Sequence, residues 1–493
     1  MNTLNGMFEH ALADIQQRVR GFGHALPAGS GQDEISPDAP IVSVLPANRT
    51  ALAIAYSGGL DSTVLLHLAR AYAIDNDVTL HAFHIHHGLS PHADRWLQHC
   101  RQACAALRIA FDARHVTLSQ QDKGGIEEAA RIARYAALGA LCMAHEAPLL
   151  LTAHHLDDQA ETVLLQLLRG SGVAGMSGME VANRAPDMLG SPLLTVARPL
   201  LSVSRAELED YARANDIAYI EDESNRDPRY ARNALRHQVM PALAACFPGF
   251  QQRFARTAQH AQAGQRLLVE LAAQDMAAAR VGDALDVNHI RRLGADRADN
   301  LLRYWFGSLG IRMPSTAWLN EMRTQLLEAK DDAQLCVTHA DCHIRRHRGR
   351  VFITPRSAET ASEVDPAVFT WRGEALFYFP AYRGTLHFDA VEIDEAGATA
   401  GSNTGIDVDW LLNRECLLHY RQGGERLKPA LNRPTKSLKH HYQAMDIPAW
   451  ERLRLPLVSS GGQLLFAAGL GMNCAQVGAT MARIRFRWQA DGS

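Results

Sequence analysis

Seven consecutive residues, Ser57-Gly58-Gly59-Leu60-Asp61-Ser62-Thr63, follow the short apolar run ALAIAY and open TVLLHLARAYA, a segment with helical spacing. A loop in that position meets a helix N-terminus, where unpaired backbone N–H groups and the helix dipole favour an anion. The two glycines let backbone approach a phosphate closely, and the Ser and Thr hydroxyls add donors. No GxxxxGK[ST] pattern occurs in the chain, so a phosphate loop built around a lysine is absent. These features predict a nucleotide-phosphate site formed by Ser57, Gly58, Gly59, Leu60, Asp61 and Ser62. Asp61 suits a magnesium ion bridging phosphate oxygens; its purely structural role would be to cap the helix.

A second constellation is His154-His155-Leu156-Asp157-Asp158-Gln159-Ala160-Glu161-Thr162. If a helix starts near residue 155, Asp158 and Glu161 stand at i,i+3, with His154 just before them on the same side. Open α/β sheets bind ligands at the C-terminal ends of their strands, so this cluster is expected to face the SGGLDS loop. The alternative is a solvated first turn whose acids merely complement the helix dipole. Leu164, Leu165, Leu167 and Leu168 are assigned to the core. In EEAARIARY (127–135), Arg131 and Arg134 share a helix face, either as a surface ladder with Glu127 and Glu128 or as phosphate contacts. In the polar block 221–236, Arg232 and Arg236 at i,i+4 could line a phosphate-bearing site.

The elements that must position these residues alternate. Strands are predicted at 51–56, 78–85, 111–116 and 148–154, and helices after the SGGLDS loop and at 93–107, 125–145 and 157–170. That alternation means βαβ units and a parallel sheet. Helical spacing dominates from about 200 to 330, and short strand-like runs take over from about 335, with one helix around 435–445. The fold class expected is α/β: an N-terminal Rossmann-like parallel sheet, then a helical domain and an α+β C-terminal domain. Domains are expected at 1–243 (core from about 49, after a loose lead-in at 23–49), 244–330 and 331–493. With 493 residues, about three domains is the ordinary expectation.

Composition narrows the function. Hydrophobic residues make up 47% and charged residues 21% of the chain, values of an ordinary globular protein. No apolar stretch reaches the roughly 18 to 20 residues of a membrane-spanning helix, and the N-terminus lacks signal-peptide character. The eight cysteines contain no CxxC pair, which suits reduced thiols rather than a disulfide framework or zinc ribbon. A cytoplasmic protein is therefore expected; nothing in the sequence decides its oligomeric state. The net charge of -3 excludes a histone-like polycation, so a nucleic-acid partner needs local patches. Residues 411–455 carry nine basic and four acidic side chains, and HIRRHRGR (343–350) carries four basic and no acidic ones. Only five basic residues are lysines, against 45 arginines, as codon bias would leave, yet three of those lysines fall within 428–439. Such patches bind nucleic-acid phosphates in a salt-dependent way. Tyr442 and Trp450 could stack or pack beside the C-terminal patch, and the Ile447–Trp450 stretch reads as core.

Taken together, SGGLDST (57–63), HIHHGLS (84–90), EEAARIARY (127–135), the block 152–179 beginning TAHHLDDQAET, RPLLSVSRAEL (198–208), DESNRDPRYARNALR (222–236) and RQGGERLKPALNRPTKSLK (421–439) resemble the tRNA(Ile)-lysidine synthetase family. SGGxDS by itself is the pyrophosphate-loop (PP-loop) signature of enzymes that split ATP between its α and β phosphates. It is shared by GMP, NAD and asparagine synthetases and by tRNA thiolases. The HHxDDQxET and GGERL…TKSLK blocks carry the discrimination. Two departures are His86, where the family often has Asn, and His440, where it often has a second Lys.

The resemblance implies ATP-dependent ligation of free L-lysine to C2 of the wobble cytidine of a tRNA(Ile) with a CAU anticodon. The cytidine is first adenylated, and AMP and pyrophosphate leave. It implies ATP and Mg2+ as cofactors, with Asp61 holding the metal. Asp158 and Glu161 would receive the cationic lysine, and His154 or a carboxylate would take the amine proton. Arg134 and Arg232 would offset phosphate charge. Arg345, Arg346, Arg421, Arg426, Lys428, Lys436 and Lys439 would contact RNA. The rival readings are a tRNA thiolase, which needs reactive cysteines, an amidotransferase-type synthetase, which needs an N-terminal Cys where this chain has Asn2, and an RNA-binding module with a dead nucleotide site.

Overall fold

The computed structural model describes residues 3–22, 51–88, 90–117, 126–221, 231–330, 335–356, 364–391, 405–430, 432–474 and 482–491. The 23–49 lead-in, residues 222–230 of the polar block and most of the loop 357–364 lie outside them. The chain divides into two compact units, Met1–Leu268 and Val269–Ser493. Among the described residues, no helix is long and apolar enough to cross a membrane.

The first unit contains α1 (Leu4–Phe22), β1 (Ala51–Ala55), α2 (Leu60–Asp75), β2 (Thr79–His86), α3 (Ala93–Leu107), β3 (Ala110–His115), α4 (Ile126–Ala144), β4 (Leu149–Leu151) and α5 (Leu156–Leu168). The short elements α6 (Val173–Met176), β5 (Ala182–Arg184), α7 (Pro186–Leu189) and β6 (Thr195–Ala197) follow. Next come α8 (Arg205–Ala214), α9 (Ala231–Ala234), a π-helical turn (Leu235–Val239), α10 (Met240–Cys246) and the long α11 (Phe250–Ala279), which runs across the boundary between the units.

Six strands form one sheet in the order β3-β2-β1-β4-β6-β5. All neighbours are parallel except β5, which pairs antiparallel with β6 at the edge. β1 alternates between two buried faces, as central strands of parallel sheets do. Leu52 and Ile54 join a core with α1, α2, α3 and α8, including Leu12, Leu65, Cys100 and Leu208. Ala51 and Ala53 join a second core with Phe83, Tyr135, Leu138 and Leu141. The small residues on that face admit a tight approach elsewhere too: a Cβ on Gly139 of α4 would lie 2.0 Å from the Leu189 carbonyl oxygen of α7.

Chain order turns at β1. It leads outward through β2 and β3 on one side and through β4 on the other, with Leu52 in register with both Leu80 and Leu149. The C-terminal ends of β1 and β4 therefore flank the switch point where such sheets bind ligands.

Two sequence expectations change. α1, which hydrophobic spacing left unassigned, buries Phe8, Leu12 and Ile15 in the first core. Leu164 and Leu165 do pack, with Leu235, Met240 and Phe250, but Leu167 and Leu168 are 57% and 67% exposed. The last turn of α5 runs past that small core, so its leucines are not core residues.

The second unit holds two main cores. In the first, helices Val287–Leu293, Ala295–Ser308 and Thr316–Glu328 pack Ile290, Leu301, Phe306, Leu319 and Met322 against Ile344 and Val351 of an antiparallel five-stranded sheet. The expected division at 330/331 falls inside this shared core. The second core lies between two antiparallel sheets and gathers Trp371, Leu386, Phe388, Leu418, Phe466 and Phe486. Beside it, helix Leu438–Ala444 buries Leu438 and Tyr442 against Leu427, Leu457 and Ala467.

Candidate active site

The SGGLDS loop leaves β1 and enters α2 in a shape that its glycines and hydroxyls dictate. Gly58 adopts φ +86°, a conformation costly for a side chain. A Cβ there would also meet the Cys100 sulfur at 2.9 Å. The loop is braced internally: the Ser57 and Ser62 hydroxyls are 3.0 Å apart, and Ser62 Oγ and Thr63 Oγ1 donate to the Gly59 carbonyl at 3.0 and 2.9 Å. Gly59 is the N-cap of α2, and no side chain caps the helix there. The capping role for Asp61 is thus not the one observed. Instead Asp61 Oδ1 is buried without a hydrogen-bond partner, and burial raises the carboxyl pKa above its ordinary value. An orphaned carboxylate oxygen at the head of a phosphate loop is a fit for a divalent cation. No ready-made group of three or more His, Cys, Asp or Glu ligands occurs among the described residues, so such a cation would need phosphate oxygens to complete its shell.

The second constellation leaves β4 on the other side of the switch point. Its acids do not form a solvated turn: Asp158 is 9% and Glu161 1% exposed. Both are held by arginines from beyond residue 230. Arg232 donates from Nε to Glu161 Oε2 at 2.7 Å and from Nη2 to Asp158 Oδ1 at 3.0 Å. Arg236 donates from Nε to Glu161 Oε1 at 2.6 Å, and from Nη2 to Asp158 Oδ1 and Glu161 Oε2 at 3.0 and 3.1 Å. Burial by itself would raise the Asp158 pKa, but His155, Arg232 and neighbouring cations hold it below the ordinary carboxylate value. Asp158 Oδ2 also accepts the His155 backbone N–H at 3.2 Å.

His155, which sequence reasoning did not single out, links the two halves. Its ring is buried, with Nε2 3.7 Å from Asp61 and 3.4 Å from Asp158, and Nδ1 3.7 Å from Asp157. Asp157 in turn accepts the Arg205 backbone N–H at 2.8 Å. Arg236 was legible as a helix partner of Arg232, but nothing local announced its carboxylate partners.

His154 is partly buried, and its Nδ1 lies 2.9 Å from the Thr152 hydroxyl. That hydroxyl also reaches the Ala197 carbonyl at 3.3 Å. With the hydroxyl donating to Ala197, His154 Nδ1 carries the ring N–H; the tautomer is set by that choice. In that tautomer Nε2 is the lone-pair side of a neutral ring. Burial pushes its pKa down to about 3.

Arg134 on α4 lies 5.7 Å from the Tyr135 ring centroid, and Arg131 lies 5.8 Å from it. Among the described residues neither makes an ion pair, so the Glu128–Arg131 rung of a surface ladder is not formed. Burial, with Arg131 and Arg232 nearby, lowers the Arg134 pKa. Arg198 serves the scaffold, donating to the Glu180 carbonyl and to Asn183 Oδ1 at 2.8 and 2.7 Å. His86, one of the two departures, pairs with Asp94 at 3.1 Å and packs on the His115 ring.

The basic patches of the second unit divide into two kinds. Arg346 is 3% exposed. Its Nη1 donates to the Leu326 and Ala329 carbonyls at 2.9 and 2.5 Å, satisfying the C-terminal end of helix Thr316–Glu328. It is therefore a structural residue and is corrected from the RNA-contacting set. Arg345 is half-buried, with its guanidinium 5.4 Å from the Trp450 ring centroid. Arg348 and His347 engage Asp446 at 2.7 and 3.3 Å. The HIRRHRGR strand pair thus docks onto the 446–450 segment, and Trp450 packs rather than stacks freely.

Arg421 is half-buried beside Tyr442, with Nε 3.8 Å from Glu425. Tyr442 is fully buried and donates to the Ala468 carbonyl at 2.9 Å. The residues that remain at the surface are Arg426, Lys436 and Lys439, with Lys428 partly buried. His440, the second departure, lies 2.8 Å from Lys436 Nζ.

Comparison with known proteins fits this geometry. Residues 38–243 match a PP-loop domain, 285–352 a TilS substrate binding domain, and 416–488 a TilS substrate C-terminal domain. A tRNA(Ile)-lysidine synthase of Burkholderia pseudomallei (strain K96243) is 42% identical over 462 residues, covering 88% of this chain and 91% of that one. The chain belongs to the tRNA(Ile)-lysidine synthase family. Lysidine synthases of Ralstonia nicotianae and Coxiella burnetii are also similar. The first is 41% identical, covering 85% of this chain and 88% of its own. The second is 36% identical, covering 87% and 90%.

In a lysidine synthase the thiolase alternative has no chemistry to stand on, and the structure agrees. Cys100, Cys104 and Cys142 are buried free thiols whose pKa values burial pushes up to about 12, far from the thiolate that sulfur transfer needs.

The two kinds of arginine can be told apart experimentally. Arg346→Ala should lower stability in denaturant unfolding by about 1–3 kcal/mol, the cost of leaving buried carbonyls unsatisfied. The salt dependence of tRNA binding should stay as in the parent; a flattened dependence at parental stability would return Arg346 to the RNA face.

Proposed function

We propose that the ends of β1 and β4 divide the chemistry of this ligase, the SGGLDS loop handling ATP and the His154–Glu161 segment handling lysine. The chain carries out tRNA(Ile)-lysidine synthesis, the ATP-dependent ligation of lysine to a tRNA cytidine. The observation that carries the division is the His155 ring, which stands between Asp61 of one segment and Asp158 of the other at 3.7 and 3.4 Å. That spacing lets activation and attack occur side by side.

In the first step the O2 oxygen of the wobble cytidine attacks the α phosphate of ATP, pyrophosphate leaves, and the cytidine carries AMP. Ser57, Gly58, Gly59, Leu60 and Ser62 bind the phosphates through the loop's backbone and hydroxyls. Asp61 holds Mg2+, which supplies charge neutralisation at the phosphates when bound. Arg134, which lacks a carboxylate of its own among the described residues, offsets phosphate charge. In the second step the ε-amine of free L-lysine, once its ammonium has given up a proton, attacks C2, and AMP leaves with the former O2. Asp158 and Glu161 receive the ammonium, whose pKa in water is about 10.4. Attack needs the neutral amine, so the ammonium proton passes first to a carboxylate or to His154 Nε2, and a ring whose pKa is pushed down to about 3 relays that proton onward rather than keeping it. Arg232 offsets the charge of departing AMP.

Recognition of the CAU-anticodon tRNA draws on the second unit, where Arg426, Lys436 and Lys439 form the exposed basic face and Lys428, Arg421 and Arg345 stand at its partly buried margin. Phosphate contacts there supply affinity rather than sequence readout.

Three measurements test this reading. Purified protein given ATP, Mg2+, labelled lysine and total tRNA should release AMP and label one minor tRNA; AMP release that needs no tRNA would sink the order of steps. Asp61→Asn should abolish AMP release while leaving tRNA affinity within about a factor of three of the parent, whereas equal loss of both would assign Asp61 to folding. Replacing Arg426 and Lys436 by Ala together should make the slope of log affinity against log salt shallower by about 1.4–1.8, at roughly 0.7–0.9 per phosphate contact. An unchanged slope would assign both side chains to the scaffold.

A further inference from the structure

Asp158 and Glu161 are already occupied in this structure. All four of their carboxylate oxygens accept hydrogen bonds, and among the described residues every side-chain donor comes from Arg232 or Arg236. Each acid accepts three hydrogen bonds and has about four lone-pair sites, so while both guanidiniums stay, a lysine ammonium with three donors finds one free site on each acid. The layering sharpens the conflict. The Glu161 and Asp158 side chains are 1% and 13% exposed, whereas those of Arg232 and Arg236 are 34% and 26% exposed. The arginines are thus the outer partners, and solvent meets them before it meets the acids.

We propose that Arg236, acting with Arg232, is a gate on the lysine site: an internal counter-cation that fills the ammonium position until phosphoryl oxyanions draw the two guanidiniums away. The proposal rests on the assignment of Asp158 and Glu161 to the lysine ammonium. Leaving a buried carboxylate pair is costly for an arginine unless another anion takes its place. Bidentate phosphate contacts are the natural replacement, because a guanidinium binds carboxylate and phosphate with the same paired N–H geometry. The surroundings favour such an exchange. Arg134 stands close to both Arg131 and Arg232, whose charges act on it, and neither Arg131 nor Arg134 has an ion-pair partner among the described residues. Polyphosphate entering there would meet a surplus of positive charge.

The backbone suits a linked movement. Arg232 lies in the single-turn α9 and Arg236 in the π-helical turn that follows it. At i,i+4 the two side chains share one face, and π turns recur where a helix is adapted to function. The consequence is an order of events: the oxyanion partner binds first and lysine second, so the amine reaches the cavity only when there is something to attack.

The test is equilibrium binding of radiolabelled lysine to the full-length chain alone, with Mg2+ and ATP, with inorganic tripolyphosphate, and with a tRNA(Ile) transcript. Lysine should bind at least tenfold more tightly with an oxyanion than without. Stimulation by ATP and tripolyphosphate identifies the nucleotide as the opener, and stimulation by the transcript alone identifies RNA phosphates.

Arg236→Gln should bind lysine without any oxyanion, at close to the stimulated affinity, and lysine should raise its melting temperature where it does not raise the parent's. Arg236→Lys, which keeps the charge, should retain part of the dependence. Equal lysine affinity in the parent with and without all three oxyanions overturns the gate, and that comparison does not depend on a variant folding. An unchanged oxyanion dependence in a folded Arg236→Gln also overturns it. If instead a folded Glu161→Gln binds lysine as tightly as the parent under every condition, the assignment of the acids is what fails.

Discussion

Two carboxylates buried at the head of α5 set the terms for the catalytic unit. Taking an ionised carboxylate out of water costs several kcal/mol even after the protein relaxes, and Glu161 retains only 1% of its exposure. Such a group persists as an anion only with partners, and here they come from 71 to 78 residues further along the chain. The pairing ties α9 and the π turn to the end of β4. It also explains the small core formed by Leu164, Leu235, Met240 and Phe250, which holds the backbone that carries the arginines against the helix that carries the acids. Scaffold and site are stabilised by the same contacts.

The near-neutral total charge has the same origin. Acids and arginines are both needed in quantity on the catalytic side, because one substrate is a cation and another a polyanion. On the second unit the positive residues split again. Arg346 is spent on helix carbonyls and Arg348 on Asp446, which leaves the lysine-containing stretch 426–439 as the exposed basic face. A local charge count over 343–350 overstates the charge available to RNA, because a guanidinium bound to carbonyls keeps its charge but no longer projects its donors into solvent.

What was legible in the sequence was whatever is local. Alternating apolar runs and helical spacings place β1 to β4 and the helices between them, since strand and helix periods are written in neighbouring residues. The SGGLDS loop declares itself through glycine and hydroxyl chemistry in seven residues. Less legible was anything that depends on distant partners. Arg236 is an ordinary basic residue until Glu161 is beside it, and Arg346 reads as part of a basic run until the end of a helix folds over it. Leu168 repeats the spacing of Leu164, yet only the nearer one finds a core. The shared core of Leu301 and Ile344 joins segments that composition alone separates. Helical texture before 330 and strand texture after it describe one packed layer of each.

The arginines bear on the nucleophile as well as on access. An amine of pKa about 10.4 requires about 4–5 kcal/mol to shed its proton at pH 7. Two ionised acids with no other neighbours would raise that cost by stabilising the ammonium. A site built only to bind lysine well would therefore hold it in its unreactive form. In the proposed site, guanidiniums that have moved from the carboxylates to phosphate but stay nearby would work the other way, since a nearby like charge disfavours the protonated amine. His154 fits this balance: burial keeps its ring neutral, with its pKa pushed down to about 3, so it neither adds a competing fixed charge nor holds a proton beforehand. A cavity that must first attract a cation and then neutralise it is best served by acids whose charge is shared. Under the proposed gate, Asp158 and Glu161 would achieve this in sequence, holding the two arginines before lysine arrives and keeping them as nearby like charges afterwards.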